Sequence, residues 1–481
     1  MSSQNADVIV IGSGFGGSVA SSRLVDAGKK VVLLERGPWR ATVATRSAGI
    51  EGCKPLPRDG GMFSLLRSLR VPKGPKKIML NKSGYLELWI GEGIKAPVTS
   101  SVGGGSHVWA ALLGRPKVGY WDGRAEAVSD SEMAPHYDAM VNELKAIELP
   151  QFGTPAAGAP LFAPMENAEH PPVAILPGDG SGKPVTDENG VTREPYDPSV
   201  ENGMFGSTGA SKSTVDALFL IPAVKRGLDL RPLYEVTEIS QSRHGYTITA
   251  RDHGAGTYVT LTAPRVIVAA GTMNTNALLL TSVGNGKLPA MPALGLGLGA
   301  NGDLIGKWKR DDTTPLGKVK IAGHEDSAYV LLAPVEAPPL PGFLRKSKVK
   351  QAATSIEVVA MSQDASDGRI WNDNGRIRFK FDLKNSPSYA ATMRAYDALG
   401  AASGCEVKYP DKEVFTAHPC GGCRVSDDPQ VGVVDGVGQV HGCPGLYVAD
   451  ASVFPQSLGV PPSLSIAAWA SHVAVNLIAE N

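Results

Sequence analysis

The sequence predicts an α/β chain built on a parallel sheet, with a second, antiparallel-sheet domain carried in long insertions. Three observations carry this prediction. A glycine-rich turn joins an apolar strand to a helix at the N-terminus; apolar strands recur at Arg265 to Ala270 and Gly445 to Asp450; and period-2 stretches appear between about 300 and 410.

Asp7-Val-Ile-Val-Ile11 is short, β-branched and stopped by glycine, as expected of a strand covered on both faces. Ser18 to Ala27 reads as a helix ending at Gly28, and Lys30 to Glu35 as a second buried strand. Strand, glycine turn, helix and strand in about thirty residues make a βαβ unit. From about Thr42 to Lys95 the chain reads as irregular and basic in patches, with an exposed loop at Val71 to Lys77. Residues from about 150 to 210, rich in Pro, Gly and polar types, read as a surface excursion. Ser213 to Arg226 alternates as a helix should, and Arg265 to Ala270 is an apolar strand running into Gly271. Ser355 to Ala360 and Arg376 to Phe381 alternate as antiparallel strands with one covered face. Gly445 to Asp450 reads as a strand ending in an acid, and Ser463 to Ala479 as an apolar helix. The nucleotide-binding part is therefore assembled from 1–125, 210–300 and 413–481. A substrate domain takes the excursion at 126–209 and a body at 301–412.

A chain of 481 residues is too long for one core, so two domains are expected. Lys+Arg and Asp+Glu are both 47, a balance that offers nothing to a nucleic acid or an anionic membrane surface. A small apolar ligand fits better. No run approaches the roughly 18 apolar residues of a membrane span, and the lead from Met1 to Asp7 lacks the features of a secretory signal. Five cysteines, an odd and small number, suit reduced thiols, so a cytoplasmic protein is expected.

Gly12, Gly14 and Gly17, with Phe15 and Gly16 between them, form the dinucleotide fingerprint between strand and helix. The first glycine makes the turn, the second admits a pyrophosphate, and the third lets helix and strand pack closely. The helix N-terminus supplies amide donors. Glu35, at the end of the next strand, is placed to accept ribose hydroxyls. An extended dinucleotide such as FAD also needs contacts far along the chain. Gly103, Gly104, Gly105 and Ser106 would let backbone lie against a flavin, where side chains would clash. Val236, Ala270, Gly271 and Asp450 are assigned to the same cofactor, as are Pro461, Pro462 and Ser463, which open the last helix.

These stretches resemble the glucose–methanol–choline (GMC) oxidoreductase family, and within it the cholesterol-oxidase-like branch. The resemblance covers Val8 to Gly37, Ser101 to Pro116, Leu230 to Ser282 and His418 to Ala470, and HPCGGC…GLYVADASVFPQSLGV is its most specific part. It implies an FAD domain, a substrate domain with an antiparallel sheet, and hydride transfer from a C–H bond to flavin N5. It places His418 beside the flavin, where an imidazole with an ordinary pKa near 6.5 can accept a hydroxyl proton. The family carries a second polar residue, usually Asn or His, where this chain has Pro461, which has no side-chain donor or acceptor. Some relatives tether FAD through a histidine in the loop at Gly103. The aligned position here is Val108, with His107 one residue away, so noncovalent FAD is expected. Trp109 is read as covering the flavin or lining the pocket, with a plain core role equally open, and Pro461 is a second pocket candidate.

Cys420 and Cys423 form a CxxC without a second pair at metal spacing, and are read as structural, with no metal site. His136, His170, His244, His253 and His324 are read as surface or core residues. Neither Glu336 nor Glu357 aligns with the glutamate that cholesterol oxidases use for isomerisation, and Glu357 is read as part of a solvated face. The leading expectation is oxidation of a hydroxyl on an apolar, steroid- or terpenoid-like molecule, with oxygen or another electron acceptor. Pro461 keeps a second chemistry open: C=C dehydrogenation or reduction, isomerisation or elimination. His418 argues against a flavin-binding protein without catalysis. The oligomeric state is open.

Overall fold

The computed structural model describes residues 6–57, 64–72, 77–148, 168–169, 172–178, 181–196, 205–309, 321–325, 328–334 and 355–480. Strand β1 (Val8–Ile11), helix α1 (Phe15–Asp26) and strand β2 (Val31–Glu35) form the expected βαβ unit. Helix α1 begins three residues before Ser18. Gly14 takes an extended backbone as its N-cap, so Phe15, Gly16 and Gly17 make the first turn.

The parallel sheet has the order Asp229–Pro232, β2, β1, Arg265–Val268, Leu446–Val448. Every neighbouring pair is parallel. All nine residues of β1 and β2 are buried, which explains their uninterrupted apolar character up to Glu35. The chain thus contributes strands from its start, its middle and its end. Helix Ser463–Ala479 has the bounds expected from its sequence. Its Trp469 stacks on Trp121 with centroids 5.4 Å apart and planes 7° from parallel. Such a pair adds about 0.5–1.5 kcal/mol beyond burial. Ser213 to Arg226 is helical over most of its length, with a π-helical turn at Asp216–Leu220 running into an α-helix at Ile221–Lys225.

A separate six-stranded antiparallel sheet confirms the second domain. Its order is Val407–Lys408, Leu304–Lys309, Ser355–Ser362, Ala328–Pro334, Ile321–Glu325, Ala168–Glu169. Helix Pro387–Ser403 is fastened to it by the Tyr396 hydroxyl, which donates to the carbonyls of Leu304 (2.6 Å) and Val358 (3.0 Å). Arg376–Lys380 is also a strand, but it pairs with Gly368–Asp373 in a smaller sheet.

The expectation of an irregular region from Thr42 to Lys95 fails among its described residues: after a short helix at Val43–Ser47 they supply most of a five-stranded mixed sheet, while most of the loop expected at Val71 to Lys77 lies outside the described residues. That sheet runs Val414–Phe415, Ile94–Thr99, Leu86–Ile90, Leu66–Arg70, Ile78–Met79. Its inward positions include Arg67, Ser68 and Glu87, each with no exposed surface. Buried charges that neutralise one another erase the hydrophobic alternation by which strands are read.

Candidate active site

A cavity of about 490 Å³ lies at the carboxyl ends of the parallel strands, where open α/β sheets bind ligands. Its wall includes Gly12, Gly14, Phe15, Gly16, Glu35, Gly104, Gly105, Val236, Ala270, Gly271, His418, Asp450 and Pro462. Segments hundreds of residues apart thus meet at one surface.

The glycine turn has the shape that a pyrophosphate requires. Gly12 has a φ of +96°, and a Cβ there would lie 2.4 Å from the Ala269 carbonyl oxygen. A Cβ at Gly16 would lie 1.7 Å from the Ala449 oxygen, and one at Gly17 1.8 Å from the Gly12 oxygen. At Gly14 a Cβ would meet nothing within 4 Å. Gly12, Gly16 and Gly17 are therefore needed for packing, whereas Gly14 keeps space open in front of the α1 N-terminus. No side chain caps that terminus. Its first-turn amides and partial positive charge suit a diphosphate. The residues present fit FAD.

Glu35 does more than wait for a ribose. Its carboxylate accepts the Ser13 N–H (3.0 Å), the Ser13 hydroxyl (2.8 Å) and the Gly37 N–H (2.7 Å). It pins the glycine loop, and a carboxylate has about four acceptor positions, so one is left for a ligand. Asp450 also acts as an organiser. It accepts the Gly271 N–H (2.9 Å), the Thr275 hydroxyl (2.5 Å) and the Ser452 N–H (2.9 Å). Burial pushes its carboxyl group above the usual range, although these bonds oppose that shift.

Six predicted residues stand outside the lining: Gly17, Gly103, Ser106, Trp109, Pro461 and Ser463. Gly103, with φ +92°, donates its N–H to Ser13 at 3.1 Å, tying the two glycine loops together. The Ser106 hydroxyl donates to the Gly103 carbonyl (2.7 Å) and accepts the Val215 N–H (3.1 Å). Trp109 packs edge-on against Phe15 with centroids 4.9 Å apart. Pro461 is buried beside Gly114 instead of facing the pocket. Pro462 lines the cavity as the N-cap of the last helix, and Ser463 begins the helix behind it. His107 is buried with Nε2 2.8 Å from the Val102 carbonyl, while Val108 reaches the cavity.

His418 joins the cavity to a polar support that sequence reasoning missed. Its Nδ1 lies 3.0 Å from the Asp303 carboxylate. Thr416 donates its hydroxyl to Asp303 (2.8 Å) and accepts the His418 N–H (2.9 Å). Burial alone would lower the imidazole pKa. The Asp303 charge and hydrogen bond more than offset this and leave it above the ordinary histidine value. Nearby, Asn301 has a left-handed φ of +55°. Its amide accepts the Leu458 and Gly459 N–H groups, both at 3.0 Å, and donates to the Val460 carbonyl at 3.0 Å. That side chain fixes the loop leading to Pro461. The only sequence signal here was an Asn-Gly-Asp turn before an alternating strand.

Arg36 and Arg70 line another part of the wall. Both pair with buried Glu87, at 3.2 Å and 2.8 Å, and Arg36 also donates to Asn274 at 2.9 Å. Burial would raise the Glu87 pKa, but Arg36, Arg70, Lys77 and the Ser68 hydroxyl hold it far below the carboxylate range.

Several of the other described histidines and cysteines have partners away from the cavity. His253 pairs with Glu235, His136 bonds Ser471, and His244 is exposed. His324 lies in strand Ile321–Glu325, while His170 and Glu336 fall outside the described residues. Glu357 is half-buried, opposite Lys307 in the antiparallel sheet. The Cys420 sulfur meets the Ser457 hydroxyl at 3.5 Å, and Cys423 donates to Asn276 at 3.7 Å. Among the described residues, no helix is long and apolar enough to cross a membrane.

Comparison with known proteins matches the family model described as GMC oxidoreductase in two parts, an N-terminal one over residues 6–304 and a C-terminal one over 357–470. A cholesterol oxidase of Mycobacterium tuberculosis is 24% identical, with 97% of this chain and 90% of the relative covered. A long-chain-alcohol oxidase of Arabidopsis thaliana is 24% identical over 98% of this chain and 66% of the relative. Among solved structures, pyridoxine 4-oxidase from Mesorbium loti superposes with a TM-score of 0.68 at 16% identity, covering 98% of this chain and 99% of that one. This last likeness shows the fold alone.

Proposed function

The chain belongs to the GMC oxidoreductase family, whose members bind FAD and act on alcohol groups, and from that premise we propose that it oxidises the hydroxyl-bearing carbon of an apolar, steroid- or terpenoid-like alcohol, with His418 as base. Bound FAD supplies the hydride acceptor in such a reaction. The chain's own part is to hold the cofactor noncovalently, orient the alcohol and receive its proton. The observation that carries this reading is His418 on the cavity wall, its Nδ1 engaged by Asp303, so that Nε2 is the nitrogen left for a substrate hydroxyl. Val108 supports noncovalent binding, because a valine in the cavity wall has no atom that can form a tether. The printed names of the two curated relatives, a cholesterol oxidase and a long-chain-alcohol oxidase, both point to apolar alcohols.

The alternative reading is C=C dehydrogenation or reduction, isomerisation or elimination. It is favoured by Pro461, which offers no second group to hold a hydroxyl. Anaerobic mixing with sterols, terpene alcohols and long-chain alcohols separates the two readings. Bleaching of the flavin absorbance by an alcohol supports hydroxyl oxidation, and readmitting air then tests oxygen as the electron acceptor. Turnover of an enone or alkene, with none of the alcohols active, overturns it.

A further inference from the structure

We propose that Asp303 is a positioning residue which, with Thr416, holds His418 in the tautomer protonated on Nδ1 and so makes Nε2 the base. The inference rests on the reading that His418 receives the substrate proton. A carboxylate can only accept, so its 3.0 Å contact with Nδ1 requires a proton on that nitrogen. Thr416 closes a three-membered ring of bonds, donating to the same carboxylate and accepting the His418 backbone N–H. Rotation of the imidazole would break the contact with Asp303.

The two halves of the pair come from different sheets. Asp303 immediately precedes strand Leu304–Lys309 of the antiparallel sheet. Its turn is fixed by Asp364, which accepts the N–H groups of Ala300 (2.8 Å) and Gly302 (2.9 Å). His418 follows strand Val414–Phe415 of the mixed sheet, and Thr416 continues that pairing with a 2.9 Å bond to the Lys95 carbonyl. Base orientation therefore depends on the register between the domains. Pro461 gives this support added weight. With no second polar group at that position to correct the angle of the hydroxyl, alignment depends on how firmly His418 is held from behind.

Asp303 is also the charged group that acts on His418. Cys420, Tyr389 and Tyr396, which also feel Asp303, are pushed upward by burial and stay neutral, Cys420 to about 12.

The test uses FAD-loaded enzyme with ¹⁵N-labelled histidine, comparing wild type, Asp303→Asn, Asp303→Glu and Thr416→Val, with flavin content and melting temperature as folding controls. The wild type should show His418 protonated on Nδ1, with a titration midpoint above the ordinary histidine value. Asp303→Asn should bring that midpoint to or below the ordinary value and move the acid limb of kcat/KM with it. It should lower kcat by roughly 10–100-fold, as removal of a partner behind a functional histidine does elsewhere, with little change in KM. Asp303→Glu should recover part of both, and Thr416→Val should give a smaller loss. If Asp303→Asn does not fold, the Glu and Val variants carry the same comparison. A neutral imidazole protonated on Nε2 in the wild type above its midpoint, or an unmoved midpoint in the variants, overturns the proposal. The spectrum decides this even if no alcohol is a substrate, so its failure is distinct from failure of the proposed activity.

Discussion

Asp450, just beyond the last strand of the parallel sheet, accepts the backbone N–H of Gly271, 179 residues earlier, at 2.9 Å. This bond joins the carboxyl ends of two adjacent strands at the cavity wall. Asp450→Ala would leave three donors without their acceptor, at about 1–3 kcal/mol for each that stays buried. The expected outcome is a lower melting temperature and faster loss of flavin on gel filtration. Asp450→Asn should fall between Ala and wild type, because a neutral amide avoids the cost of burying charge but turns a donor toward one N–H. Flavin retention equal to wild type in the Ala variant would show that Asp450 does not organise the site.

A second prediction concerns acid. Glu87 and Glu235 are both held well below the ordinary carboxylate value of 4.5 by Arg36, Lys77 and other cationic partners, against the opposing effect of burial. A depressed folded-state pKa contributes stability that is present above the unfolded value and is lost as pH falls. The melting temperature should therefore drop steadily below about pH 4.5. Glu87→Gln should flatten part of that slope. At pH 7 it should cost about 3–5 kcal/mol, the scale for removing one partner of a buried ion pair. A melting temperature within a degree of wild type at pH 7 would mean that the cations relax into solvent.

That buried network also shows what sequence alone conceals. The βαβ unit was legible because apolar runs, glycines and one terminal acid stand in fixed order within thirty residues. The last helix was legible to the residue, since a double proline opens it and an apolar run fills it. Leu66–Arg70 and Leu86–Ile90 were not, because their inward faces carry Arg67 and Glu87, whose burial makes sense only once the partners are known. Asp303 was illegible for a related reason. Its meaning lies in a contact with His418 across 115 residues, and no local spacing encodes it. Pro461 was assigned to the pocket from its place in the motif, yet Pro462 forms the wall.

The cysteines yield a chemical prediction. Cys420 and Cys423 are buried, and burial pushes both thiols upward, Cys420 to about 12. Cys443 is raised to about 11 by the same cause. Since the thiolate is the reactive form, these three should resist a disulfide reagent at pH 8 in the native enzyme and react on unfolding. Cys53 and Cys405, which are partly exposed, should account for any native labelling. Native modification of Cys420 or Cys423 would reopen a redox role for the CxxC.

The glycine turn allows packing and binding to be separated by substitution. At Gly16 a methyl group would lie 1.7 Å from a carbonyl oxygen of the neighbouring segment, so Gly16→Ala must displace backbone and should fold poorly. At Gly14 the backbone is already extended, φ −73° and ψ −164°, and the added carbon would meet no protein atom. Gly14→Ala should therefore keep the wild-type melting temperature as apoprotein. The new methyl group would instead occupy the space that a pyrophosphate needs to reach the helix amides, and a loss of about 1.4–3 kcal/mol corresponds to roughly 10–100-fold weaker FAD binding. Titration of apoprotein with FAD, followed by flavin fluorescence, measures this directly. If Gly14→Ala bound FAD as tightly as wild type, the diphosphate would have to lie elsewhere along the cavity. If Gly16→Ala folded normally and lost only FAD, the division between a packing glycine and a binding glycine would be wrong.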